Sequence, residues 1–340
     1  MRPRMRLSRR IAAVLSAHAL LAGATACSGS ADDKLLIYNA QHESLTKEWI
    51  EAFTNETGIE VEYRHGNDTE MGNQLVAEGG ASPADVFLTE NSPAMAAVER
   101  AGLFSDLEPD TLDQVPQQYR PPTGKWTGVA ARTTVFVYNT DRLQPDQLPK
   151  SLLDLQRPEW KGRWGAPPAR PDFQAIVAAL LELRGEAATA EWLAGMKANA
   201  VLEDNNISTL EAVDSGELDG GIIYHYYWYR DQAETKEISG NTALHYFRNQ
   251  DPGAFISVSG GGVLASSDKP AQAQQFIRFV TSRSGQEVLR KGTSFEYPVA
   301  SGVSANPALP PLDSLQAPNV DPSNLNAQKV NEMMTQAGLL

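Results

Sequence analysis

The sequence predicts a two-lobed α/β protein in which each lobe is a mixed sheet flanked by helices and two strands form a hinge. First, short β-forming runs alternate with helical patterns from residue 34 onward, an order typical of mainly parallel sheets. Second, about 310 residues follow an N-terminal leader, which is more than one compact core usually accommodates. Third, a proline-spaced segment at residues 143–149 separates two such α/β sets.

The N-terminus has the pattern of an export signal. Arginines precede an apolar run at residues 11–22, which is too short for a transmembrane helix. Small residues then stand before Cys27, the single cysteine, which predicts a lipoprotein signal peptide over residues 1–26, lipidation of Cys27 and a polar tether over residues 27–33. The alternative is a free thiol after ordinary cleavage. We therefore expect an exported protein, either lipid-anchored to the outer face of the cytoplasmic membrane or periplasmic.

Charge and cysteine content exclude several kinds of partner and bond. Without its first 26 residues the chain has 24 basic and 42 acidic residues, a net charge of −18. An acidic surface repels phosphate backbones and anionic lipids, so we expect no nucleic acid partner and no membrane contact except through the lipid. One cysteine cannot form an internal disulfide, so packing alone must stabilise the lobes.

The first lobe is predicted from residues 34–132 and 257–305. Its N-terminal elements, in chain order, are a strand at 35–38, a helix from residue 45 that Gly58 closes, a strand at 59–63, a helix at 71–78, a strand at 85–88 and a helix opened by Ser92 and Pro93. Open α/β sheets bind ligands beyond the carboxyl ends of their strands. His42 and Glu90 each follow a predicted parallel strand, so they are expected to converge on one cleft.

The second lobe is predicted from residues 133–256 and 306–340. Its elements, in chain order, are a strand at 133–138, helices at 173–184, 188–198 and 210–214, a tyrosine-rich strand from residue 220, and a closing helix at 325–337. The β-forming runs at 133–138 and 254–259 connect the two lobes, and we expect them to form the hinge.

Residues 220–229 carry the most distinctive chemistry. Two glycines and a β-branched run predict a strand, and four phenols, an imidazole and an indole follow within six residues. Burying such groups without hydrogen-bond partners costs about 1–3 kcal/mol each, so the stretch is predicted to line a cleft. Neighbours in a strand point to opposite faces, so Tyr226 and Tyr227 can share a ligand only if the strand ends there and a helix begins. Two interpretations fit: a phenolate pair for a small, highly charged cation such as Fe(III), or an aromatic patch that stacks on a sugar.

Common catalytic motifs are absent from the sequence. It has no HExxH, CxxC, Walker loop, GxSxG or dinucleotide fingerprint. Asp85 and Glu90 both lie at a strand end, but nothing in the sequence pairs them as acid and base. His42 alone would be a hydrogen-bonded surface imidazole, unless an acidic oxygen and the tyrosine pair face it across the hinge. The sequence motifs therefore give no support for an enzyme.

Five segments resemble the ferric-ion-binding proteins of bacterial ABC transporters, a bacterial counterpart of transferrin. In order, they are Tyr38-Asn39-Ala40-Gln41-His42, Pro83-Ala84-Asp85-Val86-Phe87, Trp160-Lys161-Gly162, Tyr226-Tyr227-Trp228-Tyr229 and Gln250-Asp251-Pro252-Gly253-Ala254. The resemblance implies a type II periplasmic-binding fold with Fe(III) in an interlobe cleft, delivered to an ABC permease and its ATPase. It implies four iron ligands, His42, Glu90, Tyr226 and Tyr227. We expect a monomer.

The resemblance also implies a small anion beside the iron. Asn206 matches a family asparagine that holds this anion. Asn91 replaces a family glutamine next to the family glutamate, and Tyr224 replaces a second anion-contacting asparagine. Asn91 is predicted to bind the anion together with Asn206, whereas the substitution at Tyr224 leaves the identity of the anion open.

The segment Arg170-Pro171-Asp172 stands where phosphate-using members of the family have Ser-Gly-Ala. Pro171 has no backbone N–H to donate, and Asp172 repels phosphate if it faces the cleft. Arg170, or Arg132 at the hinge, would instead present a planar guanidinium, so carbonate or citrate is favoured over phosphate. The alternatives are a solvated Arg170 and an Asp172 that only caps the helix starting near Phe173.

Two other functions are compatible with parts of this pattern. The aromatic cluster could hold an organic cation or a thiamine-like molecule, as other proteins of this fold do. A metal-dependent hydrolase using His42 and Glu90 is the remaining possibility from a different class.

Overall fold

The computed structural model describes residues 34–340, which form one compact unit. The predicted signal peptide, the tether and the lipidation site at Cys27 lie outside the described residues. No helix in the range 34–340 is both long and apolar enough to cross a membrane.

Nine strands in the described part of the chain form one mixed sheet. They are β1 (Leu35–Ala40), β2 (Val61–His65), β3 (Val86–Thr89), β4 (Thr127–Asn139), β5 (Trp164–Ala166), β6 (Val201–Leu202), β7 (Gly220–Tyr224), β8 (Thr242–His245) and β9 (Ile256–Val263). Their order is β2-β1-β3-β9-β4-β7-β5-β6, and β8 pairs with β4. The parallel pairs are β1 with β2 and β3, and β5 with β6 and β7, whereas β4 and β9 run antiparallel to their partners.

Ten α-helices of the same residues flank this sheet. They are α1 (Glu43–Thr57), α2 (Asp68–Glu78), α3 (Ser92–Arg100), α4 (Pro109–Leu112), α5 (Pro171–Asn199), α6 (Asn206–Asp214), α7 (His225–Glu234), α8 (Pro270–Thr281), α9 (Arg283–Lys291) and α10 (Ala327–Gln336). The predicted mixed sheet flanked by helices is therefore confirmed. Gly58 ends α1 in the left-handed conformation, at φ 75°, as its position after the helix predicts.

Strand β4 connects the two halves of the sheet. It pairs with β9 as far as Thr133, which lies opposite Ile256, and with β7 from Thr134 onward. This change of partner falls where the sequence places the boundary at residue 133, while the assignment of whole segments to two lobes stays a prediction. Separate apolar cores lie on either side: one packs α1 against α8 around Trp49, and another packs α5 against α10 around Trp192.

The helices predicted at 173–184 and 188–198 are confirmed as the two parts of α5, which break at Gly185, where a φ of 77° and a ψ of 174° are not helical and suit glycine. One strand is longer than the sequence predicts. The predicted run at 254–259 is strand β9, which extends to Val263 through three glycines. Glycine has low strand propensity, but a Cβ on Gly260 would lie 2.3 Å from Met95, so close packing explains its presence.

Candidate metal centre

The four predicted ligands meet at one edge of the sheet. His42 follows β1 and Glu90 follows β3, and these neighbouring strands are parallel, so their carboxyl ends lie side by side. His42 Nε2 lies 3.0 Å from Glu90 Oε1. The His42 ring packs edge-on against Tyr226 with the ring centroids 4.8 Å apart, and the Tyr226 and Tyr227 centroids are 4.4 Å apart. Residues from three distant parts of the sequence thus form one cluster.

The tyrosine pair owes its geometry to a change from strand to helix. Strand β7 ends at Tyr224 and α7 begins at His225, which confirms that the strand stops before the pair. Tyr226 and Tyr227 are therefore in the first turn of a helix and need not point to opposite sides. Both hydroxyls donate to Asp172 Oδ2, at 3.3 Å and 3.1 Å respectively. The two phenol oxygens consequently converge on the same carboxylate oxygen.

Asp172 is a site residue that the sequence analysis treated only as a possible source of repulsion or as a helix cap. The cap alternative is wrong, because Arg170 is the N-cap of α5 and the Asp172 carboxylate is turned into the cleft. Besides the two phenols, Asn206 Nδ2 donates to it at 2.9 Å and Asn91 Nδ2 at 3.0 Å. An acidic residue in a first helical turn is common because it complements the helix dipole, so no local signal revealed this role.

Asn91 lies at the centre of this network. Its amide nitrogen donates to Asp68 and Asp172, and its amide oxygen accepts from the Tyr224 hydroxyl at 3.2 Å and the Ser257 hydroxyl at 2.8 Å. Both donors and both acceptor positions of the amide are therefore in use. Asn91 and Tyr224, the two departures from the family pattern, contact each other, and Asn91 could bind an anion only by losing one of these bonds.

The two arginines predicted to bind an anion differ in their surroundings. Arg132 is fully buried, its Nη2 contacts Glu296, and its Nε and Nη1 have no hydrogen-bond partner within residues 34–340. Its guanidinium carbon lies 5.8 Å from the centroid of the Tyr226 ring. Arg170 is exposed and donates through Nε to the Asp204 carbonyl at 2.7 Å. Arg132 therefore brings unused donors to the site, and Arg170 lies at its rim.

A cavity of about 560 Å³ opens onto this cluster. Its lining includes Glu90, Arg170, Asp172, Asn206 and Tyr227. Most of the charged groups there are carboxylates, so the cavity favours cations over anions.

Burial shifts the protonation of the candidate ligands. It raises the pKa of Glu90 to about 7, although the charge of His42 opposes this shift. Burial, followed by the charge of Asp172, raises the pKa of both Tyr226 and Tyr227 well above that of free phenol. The phenols are therefore protonated donors at neutral pH, and a strongly charged cation would be needed to replace their protons.

Two further acidic residues belong to the site, and the sequence analysis missed both. Asp68 Oδ1 accepts the backbone N–H of Glu90 at 2.9 Å, and the fully buried Glu296 lies 2.7 Å from His42 Nδ1. Neither residue stands in a motif. As residues 34–340 are arranged in this structure, no group of three or more His, Cys, Asp or Glu side chains is placed to hold a metal ion, so an acidic residue such as Asp172 could join a metal site here only together with the phenol oxygens.

Comparisons with known proteins show what this chain is similar to. A family model described as bacterial extracellular solute-binding protein matches residues 81–324. The sequence is 56% identical over 337 residues to the Fe(3+)-binding periplasmic protein of Serratia marcescens, covering 99% of this chain and 100% of that protein. It is 34% identical over 325 residues to the major ferric iron-binding protein of Neisseria meningitidis serogroup A, covering 95% and 98%. The structure of iron-bound HitA from Pseudomonas aeruginosa superposes with a TM-score of 0.85 at 41% identity, covering 90% of this chain and 99% of that chain.

Proposed function

The chain belongs to the family of bacterial extracellular solute-binding proteins and has the two-lobed type II periplasmic-binding fold, and we propose that it is the ferric-iron receptor of an ABC uptake system. In this proposal a monomer captures Fe(III) between its lobes and delivers it to an ABC permease and its ATPase. The protein is exported, and a lipid on Cys27 anchors it to the outer face of the cytoplasmic membrane. It is not an enzyme, because the relatives that it matches over nearly their whole length are iron-binding periplasmic proteins.

The observation that carries the proposal is the convergence of two phenols and a His–Glu pair. His42 contacts Glu90 and packs against Tyr226, while Tyr226 and Tyr227 direct their hydroxyls to one point. Once the phenols lose their protons, they and Glu90 supply three negative charges to Fe(III), and the imidazole is a neutral fourth donor. The bound cation itself favours the phenolate form, which free phenol reaches only near pH 10.

Asp172 is proposed as a fifth donor. Its Oδ2 already lies within hydrogen-bond distance of both phenol oxygens, so an ion that replaces the phenol protons would lie close to this carboxylate. Asn91 and Asn206 hold the carboxylate in place from two sides. Five protein donors leave about one position of a six-coordinate ferric ion for another ligand.

Carbonate or citrate is proposed for that position in preference to phosphate. Asp172 faces the cleft and repels a phosphate, and Pro171 removes one backbone donor at the N-terminus of α5. The Nε–H and Nη1–H groups of Arg132, which have no partner in the described residues, can donate hydrogen bonds to the oxygens of a carboxylate or carbonate. Arg170 lies at the rim, where it can contact the outer part of a citrate.

The other candidate functions find less support. An organic or thiamine-like ligand would need aromatic faces open for stacking, but Tyr224 and Tyr226 are fully buried and their hydroxyls are already bonded. The hydrolase alternative is not retained, since the protein is not an enzyme.

The test of this function is a ferric titration of the purified protein. We expect one Fe(III) per chain and a visible colour, because phenolate-to-iron charge transfer absorbs in the visible range. Gallium(III) is the control, since this closed-shell ion of similar size should bind without producing colour. A colourless protein that retains no iron in equilibrium dialysis would exclude the ferric proposal.

Closure of the lobes is a second expected result. Ligands from both proposed lobes must reach one ion. Bound iron should therefore favour a closed state, in which the lobes come together by bending at strands β4 and β9. Small-angle scattering should give a smaller radius of gyration with Fe(III) than without it. The Tyr226→Phe, Tyr227→Phe double variant is the matched control and should show no change on adding iron. Identical dimensions of the wild-type protein with and without bound iron would contradict closure.

A further inference from the structure

Glu296 is a buried carboxylate that the proposed function does not use. It lies in the segment after α9, and its side chain is fully buried. Its Oε1 lies 2.7 Å from His42 Nδ1, and its Oε2 contacts Arg132 Nη2. Gln41 Nε2 and the Ser259 hydroxyl approach the same Oε2 at 3.4 Å each. Hydrogen-bond donors therefore surround the Glu296 carboxylate, and one of them belongs to His42, a proposed iron ligand.

The partners of Glu296 determine the direction of its bond to His42. Its Oε2 contacts the Arg132 guanidinium, and its Oε1 lies 2.7 Å from His42 Nδ1. A carboxylate paired with a guanidinium can only accept hydrogen bonds, so His42 Nδ1 carries the proton and donates it. The other ring nitrogen, Nε2, is then the one that faces the cleft, 3.0 Å from Glu90.

We infer that Glu296 is a positioning residue for iron binding, which holds His42 with its proton on Nδ1 and its Nε2 lone pair directed at the metal position. The inference rests on the proposed function, since it assigns Glu296 a role through the proposed ligand His42. An imidazole free to rotate or to change tautomer would present an N–H to the ion for part of the time. Carboxylates that orient metal-binding histidines in this way typically contribute about 10- to 100-fold in affinity.

The backbone around Glu296 is fixed, which a positioning role requires. The neighbouring Tyr297 exchanges two backbone hydrogen bonds with Ala131 of β4, at 2.9 Å and 2.8 Å. On the other side, the Phe295 carbonyl accepts from His225 Nε2 at 2.8 Å. Phe295 has a φ of 54°, a left-handed conformation that is unfavourable for a bulky residue and persists only where surrounding contacts impose it. The same segment thus contacts His42 and the residue preceding Tyr226.

A purely structural role is the competing explanation. Glu296 also neutralises the buried Arg132, and removing it alone would leave an unpaired buried charge that destabilises the fold. The positioning role and the structural role can be distinguished in variants that lack Arg132. Arg132→Met with Glu296→Gln keeps an oxygen that accepts from Nδ1–H, whereas Arg132→Met with Glu296→Leu removes that acceptor at similar side-chain volume.

The experiment compares ferric affinities of these two double variants by competition with a chelator of known affinity. We expect the leucine form to bind Fe(III) about 10- to 100-fold more weakly than the glutamine form. Glu99→Gln is a control that should leave affinity unchanged, because this carboxylate also accepts from a ring N–H, that of Trp126 at 2.7 Å, but outside the cleft. Equal affinities of the two double variants would overturn the inference.

Nitrogen NMR of the gallium-loaded protein gives an independent readout that a structural role would not affect. Long-range ¹⁵N–¹H correlations should show the proton of His42 on Nδ1 in the wild type and in the glutamine double variant. A wild-type His42 protonated on Nε2 would also overturn the inference. These outcomes are distinct from failure of the proposed function, in which the wild-type protein would bind neither iron nor gallium.

Discussion

Replacing both Tyr226 and Tyr227 with phenylalanine is expected to abolish ferric binding and the colour of the complex. The change removes two of the four negative charges proposed for the ion, those of the two phenolates, and leaves those of Glu90 and Asp172. It also removes both phenols among the proposed ligands, so no phenolate-to-iron charge transfer can occur. It retains both rings, so the contacts of the pair with each other and with His42 persist. Equilibrium dialysis and visible absorbance measure the loss, and thermal unfolding without iron checks that the variant is folded.

The matched control removes two other phenols that are bonded to each other. The Tyr246 hydroxyl lies 3.3 Å from the Tyr229 hydroxyl, away from the proposed ligands, so Tyr229→Phe with Tyr246→Phe deletes both partners of one hydrogen bond. Removing both partners together leaves no unpaired group and is close to neutral for stability. This control should bind iron and colour as the wild type does. Iron binding retained by the Tyr226, Tyr227 variant would show that the phenols are not ligands.

The tyrosine pair could be predicted because its signal is local. Two glycines, a β-branched run and a helical pattern after it fixed the end of the strand within one stretch of sequence, and the structure confirms that end at Tyr224. The positions of His42 and Glu90 followed from a general property of parallel strands, whose carboxyl ends share an edge. Short-range periodicity was sufficient for both inferences.

Asp172 and Glu296 could not be predicted in the same way. Asp172 is 54 residues from Tyr226 in sequence, and Glu296 is 254 residues from His42, so only the assembled fold brings these side chains together. The same holds for Asn91 and Tyr224. The sequence shows each of them as a departure from the family pattern. Their hydrogen bond joins residues 133 positions apart in sequence, so it is a property of the tertiary structure.

Three positions at which this chain departs from the family pattern are connected by hydrogen bonds. Where the resemblance implies room for an anion, the amide of Asn91 bonds both to the carboxylate of Asp172 and to the phenol of Tyr224. A site filled with the chain's own polar groups leaves less space and less positive potential for an external anion. The anion preference should therefore depend on Asp172 more than on any other residue.

Asp172→Ala is expected to weaken ferric binding by at least about 100-fold, since loss of an outer residue already costs about 10- to 100-fold and Asp172 is proposed to contact the ion itself. It should also relax the anion preference. With the negative charge gone from the N-terminus of α5, phosphate should support loading of the variant about as well as bicarbonate or citrate, whereas the wild type should load better with either of these than with phosphate.

The measurement is ferric loading of both proteins in buffers that contain one anion at a time, followed by dialysis and iron analysis. Asp110→Ala is a suitable control, because Asp110 likewise follows a proline at the start of a helix, α4, but is exposed and outside the cleft. This control variant should lose only the small stabilisation that the Asp110 charge gains from the dipole of α4, about 0.3–1 kcal/mol, and its iron affinity should not change. Wild-type protein that loads fully in phosphate alone would contradict the proposed anion preference. An Asp172→Ala variant with wild-type affinity would remove Asp172 from the proposed ligands.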